Sequence, residues 1–88
     1  MVNYQIYFSK KANKDKKLIK QAGLEKKARE LLKVLEKDPY QNPPPYEKLV
    51  GNLSGYFSRR INIQHRLVYK IYEEEKAVQI VRMWTHYE

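Results

Sequence analysis

The segment HRLVYKIYEEEKAVQIVRMW (His65–Trp84) decides the fold. Two stretches rich in aliphatic and aromatic residues, His65–Tyr72 and Ala77–Trp84, flank the polar run Glu73–Lys76. Residues of this kind favour strands, and a short polar connection between two such stretches favours an antiparallel hairpin. The sequence therefore predicts a β-hairpin at the C-terminal side of the chain.

The register of this hairpin predicts where Arg66 lies. If Tyr72 pairs with Ala77 and the antiparallel register continues without interruption, Arg66 lies opposite Met83. Side chains alternate between the two faces of a strand, so Arg66 points away from the face that its apolar neighbours bury. With Arg60 on the next strand, one end of the sheet should gather four residues: Arg60, Arg66, His86 and Tyr87.

The N-terminal part of the chain reads as a strand followed by two helices. Val2–Phe8 alternates apolar and polar residues, and Ser9 can cap a lysine-rich helix that runs to Gln21. Gly23 can end this helix, because glycine adopts the left-handed conformation without steric cost. A second helix is expected over Leu24–Lys37. The residues predicted to face the core are Ala12, Leu18, Ile19, Ala22, Leu24, Ala28, Leu31, Leu32 and Leu35.

A proline-rich segment, Asp38–Pro45, separates the helices from the strands, and proline excludes it from a helix or an interior strand. Tyr46–Val50 is a candidate short strand, Gly51–Gly55 a turn, and Tyr56–Ile63 a strand. We therefore predict one α+β domain over residues 1–88, with an N-terminal strand and a two-helix hairpin packed on one face of a mostly antiparallel, twisted sheet.

The positive charge is concentrated in the helices. The chain has 18 Lys and Arg against 10 Asp and Glu, a formal charge of +8. Between Lys10 and Lys33, ten basic residues face only three acidic ones, so this stretch alone carries +7. Solvated helix faces often carry such lysines, but an excess this one-sided favours binding of a polyanion. The lysines expected to contact it are Lys10, Lys11, Lys14 and Lys17.

Several classes of protein are excluded by composition. With no cysteine and only two histidines, the chain offers no thiolate metal site and few other ligands, so we expect neither a metal ion nor a cofactor. The longest apolar runs are too short for a membrane span of roughly 20 residues. Because the first ten residues lack the pattern of a secretory signal, we expect a cytoplasmic protein without membrane contact.

Three segments carry a resemblance to a known family. They are YEKLVGNLSGYFSRRIN (Tyr46–Asn62), HRLVY (His65–Tyr69) and the terminal pair His86-Tyr87. Together they resemble the YoeB/Txe toxins of the RelE/ParE superfamily, which are mRNA interferases of type II toxin-antitoxin systems. The resemblance implies a RelE-like fold and an endoribonuclease that depends on the ribosome and cleaves mRNA in the ribosomal A site, so inhibiting translation.

The same resemblance implies roles for individual residues. Glu47 is cast as the general base, Arg66 as the group that stabilises the phosphate in the transition state, and His86 as the general acid. The residues expected to contact RNA or its phosphates are Lys48, Arg59, Arg60 and Tyr87. The implied partners are an acidic antitoxin of the YefM/Axe type, the 70S ribosome with its mRNA and, in a homodimer, a second copy of the chain.

The chemistry of these side chains fits RNA cleavage without a metal ion. Attack by the 2′-OH needs a base, a cation for the charge that builds on phosphorus and an acid for the leaving 5′ oxygen. A glutamate, an arginine and a histidine supply the three. Whether Glu47 or His86 is the base stays open on sequence alone. Two alternatives also stay open: a non-catalytic RNA- or ribosome-binding module, and a gyrase-poisoning toxin of the same fold.

Overall fold

The predicted hairpin forms the middle of a five-stranded sheet in a computed structural model, which describes residues 3–83. Tyr72 pairs with Ala77 as predicted, and the turn between them is Glu73–Lys76. In chain order the elements are β1 (Gln5–Phe8), α1 (Lys10–Gln21), α2 (Glu25–Lys37), β2 (Glu47–Lys48), a 3₁₀ turn (Gly51–Leu53), β3 (Tyr56–Arg60), β4 (Arg66–Tyr72) and β5 (Ala77–Arg82).

The strand order across the sheet is β1-β5-β4-β3-β2. β1 pairs with β5 in parallel, and the other neighbours are antiparallel. A parallel pair needs a long crossover, and the two helices together with the strands that follow provide the connection from β1 to β5. The α+β fold with an N-terminal strand and a helical hairpin is confirmed.

The limits of α1 follow from its end residues. The hydroxyl oxygen of Ser9 accepts a hydrogen bond from the backbone N–H of Ala12 at 3.1 Å, as predicted for an N-cap. At the other end Gly23 has a φ of +75°, a conformation that a side chain would make costly. The helices therefore form a hairpin with a short connection between them.

The core lies between the helices and one face of the sheet. Ala12 and Ile19 of α1 and Ala28 and Leu35 of α2 are buried against strand residues. Those strand residues are Leu67, Tyr69, Val78 and Ile80, which alternate with outward-pointing neighbours. We call this side of the sheet the covered face and the opposite side the outer face.

Two of the predicted core positions are wrong. Leu18 is 38% exposed and Ala22 is also exposed. Successive helical residues are turned by about 100°, so the buried stripe of α1 passes through Ala12, Asp15 and Ile19 and leaves Leu18 at its border. A buried aspartate therefore lies between the confirmed core residues Ala12 and Ile19, at a position that was not predicted to face the core.

Some strands are shorter than predicted. β2 has two residues, and β3 ends at Arg60 because Asn62 starts a tight turn. The Asn62 side-chain oxygen accepts hydrogen bonds from the backbone N–H groups of Gln64 and His65 at 2.9 and 2.7 Å. An asparagine that binds the backbone in this way favours a turn over a continued strand. Among residues 3–83, no helix is long and apolar enough to cross a membrane.

Candidate active site

Glu47 and Arg66 meet on the outer face of the sheet. Glu47 is on β2 and pairs with Ser58 of β3, and Arg66 begins β4. The Arg66 Nη1 donates to Glu47 Oε1 at 2.7 Å. The Arg66 side chain is 28% exposed and that of Glu47 is 67% exposed, so the pair is open to solvent on the carboxylate side. A predicted base and a predicted phosphate-binding cation, 19 residues apart in sequence, are thus in direct contact.

Arg60 and Lys48 have different relations to this pair. Arg60 lies directly opposite Arg66 in the β3–β4 ladder and is exposed. The two arginines are therefore partners at this strand end, and Arg60 also lines a cavity together with Leu31 and Val34 of α2. Lys48 pairs with Phe57 and, by strand alternation, projects from the face opposite to Glu47. Lys48 is therefore adjacent to Glu47 in the chain but on the other side of the sheet.

Arg59 is buried and does not reach the outer face. Its side chain lies on the covered face, with 1% of the residue exposed. The Nε donates to the Tyr69 hydroxyl at 3.0 Å, and the two terminal nitrogens donate to the carbonyl oxygens of Pro39, Gln41 and Pro44. The expectation that Arg59 contacts RNA phosphate is therefore wrong, because its guanidinium is used to hold the proline-rich crossover onto the sheet.

The surroundings of Tyr69 match this structural role. Burial raises the pKa of Tyr69 to about 12, although the neighbouring Arg59 guanidinium acts in the opposite direction. The phenol therefore stays neutral at physiological pH and accepts the Arg59 hydrogen bond. The Tyr69 ring stacks on Phe57 at a centroid distance of 5.7 Å, which fixes the position of both partners.

The register of the hairpin changes before it reaches Arg66. Pairing is regular from Tyr72 to Tyr69, but Val68 then pairs with Arg82, a shift of one residue. The predicted pairing of Arg66 with Met83 is therefore wrong. A bulge of this kind adds one residue to a strand and bends it, and the alternation of hydrophobic residues does not reveal it.

The bulge places Arg82 on the outer face, where sequence reasoning missed it. Arg82 lies in the same transverse row as Val68, Ser58 and Glu47. Its Nε donates to the buried carboxylate of Asp15 at 2.9 Å. A detectable signal was present in the sequence, because Asp15 is the acidic residue that lies at helical spacing between the core residues Ala12 and Ile19.

Asp15 also anchors the end of β5. The Oδ2 that binds Arg82 accepts a second hydrogen bond from the backbone N–H of Met83 at 3.0 Å. A carboxylate that accepts from a guanidinium and from a backbone N–H binds more strongly than a neutral acceptor. The chain is thereby held three residues before His86. His86 and Tyr87, the predicted acid and its neighbour, lie outside the described residues.

Ser58 pairs with Glu47 across the sheet and is buried, with no hydrogen-bond partner among residues 3–83. The residue is 2% exposed, and within residues 3–83 its hydroxyl oxygen has no donor or acceptor in reach. It pairs with Glu47 on one side and with Val68 on the other. Buried hydroxyl groups are normally hydrogen-bonded. A buried hydroxyl without such a bond, next to a candidate catalytic carboxylate, is therefore an unusual feature of this site.

A cavity adjoins this row of residues on the outer face. It has a volume of about 430 Å³ and is lined by two cations, Lys11 and Arg82, together with Ser9, Leu53, Tyr56, Val68 and Val81. The four predicted ribosome-binding lysines of α1, Lys10, Lys11, Lys14 and Lys17, are all exposed. Within the described part of the chain none of them forms an ion pair, and no group of His, Asp and Glu side chains is arranged to hold a metal ion.

Comparisons with known proteins agree on one family. Residues 2–87 match the model of the YoeB-like toxin of bacterial type II toxin-antitoxin systems. The toxin YoeB of Synechocystis sp. is 42% identical over 74 residues, which cover 84% of this chain and 77% of the relative.

Solved structures give the same result. The YoeB–YefM heterotetramer from Staphylococcus aureus matches with a TM-score of 0.80 and 38% identity, covering 96% of this chain and 98% of that one. The YoeB dimer from the same organism matches with a TM-score of 0.79 and 37% identity, covering 97% and 99%.

Proposed function

This chain belongs to the YoeB-like toxins of bacterial type II toxin-antitoxin systems, and from that premise we propose that it is a cytoplasmic, ribosome-dependent endoribonuclease. It cleaves mRNA in the ribosomal A site and so inhibits translation. The observation that supports the proposal most directly is the contact of Arg66 with Glu47 at 2.7 Å on the outer face. A base and a phosphate-binding cation on an exposed face are two of the three groups that the reaction needs.

The reaction is a transfer at phosphorus without a metal ion. A base removes the proton of the 2′-OH, the 2′ oxygen forms a bond to phosphorus, and the bond from phosphorus to the 5′ oxygen breaks. An acid gives a proton to that oxygen, so that the products are a 2′,3′-cyclic phosphate and a 5′-OH. In this scheme Glu47 is the base and His86 the acid, each contributing about 10²- to 10⁴-fold.

Arg66 stabilises the negative charge that develops on the phosphate oxygens. Its guanidinium keeps its charge at all relevant pH values and binds two oxygens at once. Without RNA, the guanidinium is held in place by Glu47, which reduces the conformational freedom lost on substrate binding. When a phosphate binds, its oxygens accept hydrogen bonds from the Arg66 guanidinium. The Glu47 carboxylate is then more available to accept the proton of the 2′-OH. Arg60 adds a second cation at the same strand end, and Tyr87 contacts the substrate base.

The basic helix supplies affinity for the ribosome. Lysines bind phosphates through charge without reading sequence, and such binding weakens steeply with salt. The lysines Lys10, Lys11, Lys14 and Lys17 are all exposed on α1, and helical spacing places Lys10, Lys14 and Lys17 on one side of it. Association with ribosomal RNA should therefore fall as salt concentration rises, whereas the chemistry at Glu47 and Arg66 should not.

An acidic antitoxin is the expected protein partner. The S. aureus relative is found in a heterotetramer with YefM and also as a dimer. A charge of +8 on this chain favours a partner of opposite charge, and a disordered acidic segment that folds on binding can cover a large basic surface. We expect one antitoxin segment to cover the outer face and so to inhibit the enzyme, and a toxin dimer in the free state or in the complex.

Primer extension on translated mRNA tests the enzymatic proposal. The wild-type protein should produce discrete cuts, and Glu47→Ala, Arg66→Ala and His86→Ala should each slow the cutting by about 10²-fold or more, with a residual rate that can still be measured. For Arg66→Ala the loss should be about 10²- to 10³-fold, as for removal of one transition-state donor. The matched control is Arg29→Ala, which removes a positive charge from the exposed surface of α2 and should cut like the wild type.

The alternatives give different results in the same experiment. If Arg66→Ala cuts as well as the wild type, the site assignment is wrong. Growth arrest without RNA cleavage by the wild type contradicts the enzymatic proposal and favours a non-catalytic ribosome-binding module or a gyrase poison. A pH profile of the His86→Ala and Glu47→Ala variants assigns the base, because loss of the base removes the acidic limb of the profile and loss of the acid removes the basic limb.

A further inference from the structure

Tyrosine side chains concentrate on the outer face, away from the Glu47–Arg66 pair. Strand pairing places Tyr56, Lys70, Gln79 and Tyr7 in one transverse row across β3, β4, β5 and β1. Residues paired across neighbouring strands have their side chains on the same face, both in the antiparallel pairs and in the parallel β1–β5 pair. Tyr72 lies two residues after Lys70 on β4 and therefore shares that face. Three tyrosines and a lysine thus form a patch that the catalytic scheme does not use.

Lys70 lies between two of these rings. Its Nζ is 5.5 Å from the ring centroid of Tyr56 and 5.4 Å from that of Tyr72. Both distances are within the range of a cation–π interaction, so the two rings stabilise the position of the ammonium group on this face of the sheet. Tyr7 is 56% exposed and Tyr72 37% exposed, which leaves much of each ring accessible to a ligand.

The charge of the outer face favours an anionic occupant. The strand pairing places Arg60, Arg66 and Lys70 there, and Glu47 is the one carboxylate at the paired strand positions of this face among the described residues. Arg82 lies in the same row as Glu47, but its Nε is bound to the Asp15 carboxylate. Lys70 is four residues from Arg66 on the same strand, a separation of about 13 Å. At a stacked spacing of about 3.4 Å per nucleotide, this separation corresponds to about four nucleotides, or fewer in an extended strand.

We propose that Tyr7, Tyr56 and Tyr72 around Lys70, here called the tyrosine subsite, bind single-stranded RNA a few nucleotides from the cleaved linkage. Bases stack on the exposed tyrosine rings and Lys70 contacts the intervening phosphate. The inference rests on the proposed function, since it assigns a path for the same RNA strand. Aromatic side chains interleaved with cations on an exposed sheet are a recurring platform for single-stranded RNA, because every base offers a face for stacking.

Binding of a short RNA that cannot be cleaved tests the subsite separately from catalysis. The probe is an eight-nucleotide oligomer with 2′-O-methyl groups throughout, and its partner is an abasic oligomer with the same number of phosphates. The wild type should bind the base-containing oligomer more tightly. Tyr72→Ala and Tyr7→Ala should each weaken that binding about fivefold or more and leave the abasic oligomer unaffected. Tyr72→Phe keeps the ring and should bind like the wild type.

The control is Tyr40→Ala. The exposed fraction of Tyr40, 41%, is similar to that of Tyr72, but Tyr40 lies on the crossover and not in the tyrosine subsite. It should bind both oligomers as the wild type does. Lys70→Ala should weaken binding of both oligomers, since it removes a phosphate contact. Circular dichroism of each variant checks that the sheet is formed.

Equal affinity of the wild type for the two oligomers, or unchanged binding by Tyr7→Ala and Tyr72→Ala, overturns the proposal. So does a result in which these variants lose affinity for an acidic antitoxin segment and keep that for RNA, because the patch is then a protein interface. Base-dependent binding through the tyrosines in a protein that cuts no translated mRNA supports the subsite while contradicting the enzymatic function.

Discussion

On the covered face of the sheet, Arg59 is 1% exposed and donates hydrogen bonds to three backbone carbonyls and a tyrosine hydroxyl. On the outer face, Arg66 binds one exposed carboxylate and keeps the rest of its guanidinium accessible. The two arginines belong to neighbouring pairs of the β3–β4 ladder, since Arg59 pairs with Leu67 and Arg66 pairs with Arg60. The comparison shows that the face of the strand, and not the residue type, decides whether an arginine stabilises the fold or stays available to a ligand.

The largest expected effect is the difference in stability between alanine variants of these two arginines. Arg59→Ala leaves several carbonyls of the crossover unpaired and should lower the free energy of unfolding by about 3–5 kcal/mol, because each buried acceptor without a partner costs about 1–3 kcal/mol. Arg66→Ala breaks a solvent-exposed ion pair and should cost about 1 kcal/mol or less. Urea titration of both variants measures the difference. Equal losses would show that the two faces do not differ in the way described.

A smaller effect is expected at Asp15, the residue that joins the covered face to the end of β5. Asp15→Asn keeps the size of the side chain but replaces a charged acceptor by a neutral one. We expect a loss of about 1–3 kcal/mol, because hydrogen bonds to charged groups are worth about this much. The measurement is urea titration at pH 7, and Asp38→Asn on the exposed helix end is the control. A loss as small as that of the control would contradict the anchoring role.

A pH-dependent effect is expected at Glu73, which lies at the end of the sheet opposite to Arg66. The carboxylate accepts hydrogen bonds from Lys76, Tyr4 and Tyr40 at 2.8, 2.6 and 2.7 Å. These contacts, that of Lys76 first, lower the pKa of Glu73 from 4.5 to about 2. The cluster joins the N-terminal strand, the crossover and the β4–β5 turn.

Because the pKa of Glu73 is lower in the folded state, its contribution to stability is complete above about pH 4.5 and is lost as the pH falls towards 2. Glu73→Gln should therefore be less stable than the wild type at pH 7, and the difference should shrink below pH 4.5. Urea midpoints measured for both proteins between pH 7 and pH 2.5 test this. A difference that is constant over this range would exclude the ionic origin.

The smallest effect is expected at Ser58, the buried hydroxyl on the outer face. Ser58→Ala removes a polar group that has no partner within residues 3–83, so the free energy of unfolding should stay unchanged or rise by up to about 1 kcal/mol. Thermal unfolding measures this. A clear loss of stability would mean that the hydroxyl has a partner in the folded protein and would weaken the contrast between the faces.

Much of the fold followed from local patterns. Alternation in β1 and in the β4–β5 pair, the Ser9 cap and Gly23 predicted elements that the structure confirms, because these signals act over a few residues. Strand ends were less predictable, since β3 ends where Asn62 binds the backbone of the next turn. The hairpin register was predicted correctly from Tyr72 to Tyr69 and failed at the bulge, which depends on how the bent strand packs.

The candidate site was also predicted only in part from the sequence. The residue motifs identified Glu47 and Arg66, and the structure brings them together, while their catalytic roles and those of His86 and Tyr87 stay predictions. Arg59 and Arg60 are adjacent and chemically identical, so no local pattern distinguished the buried one from the exposed one. Asp15 and Arg82 were missed because their contact joins positions 67 residues apart.

By itself, the sequence determined the order of helices and strands, the excess of positive charge and the presence of a glutamate, arginines and a histidine suited to RNA cleavage. These properties depend on composition and on short-range periodicity. Only the tertiary structure decided which arginine is buried, where the register shifts, which carboxylate anchors β5 and which tyrosines share a face with Lys70. Such features arise from contacts between residues distant in the chain, and their energies depend on the burial and pairing that the complete fold creates.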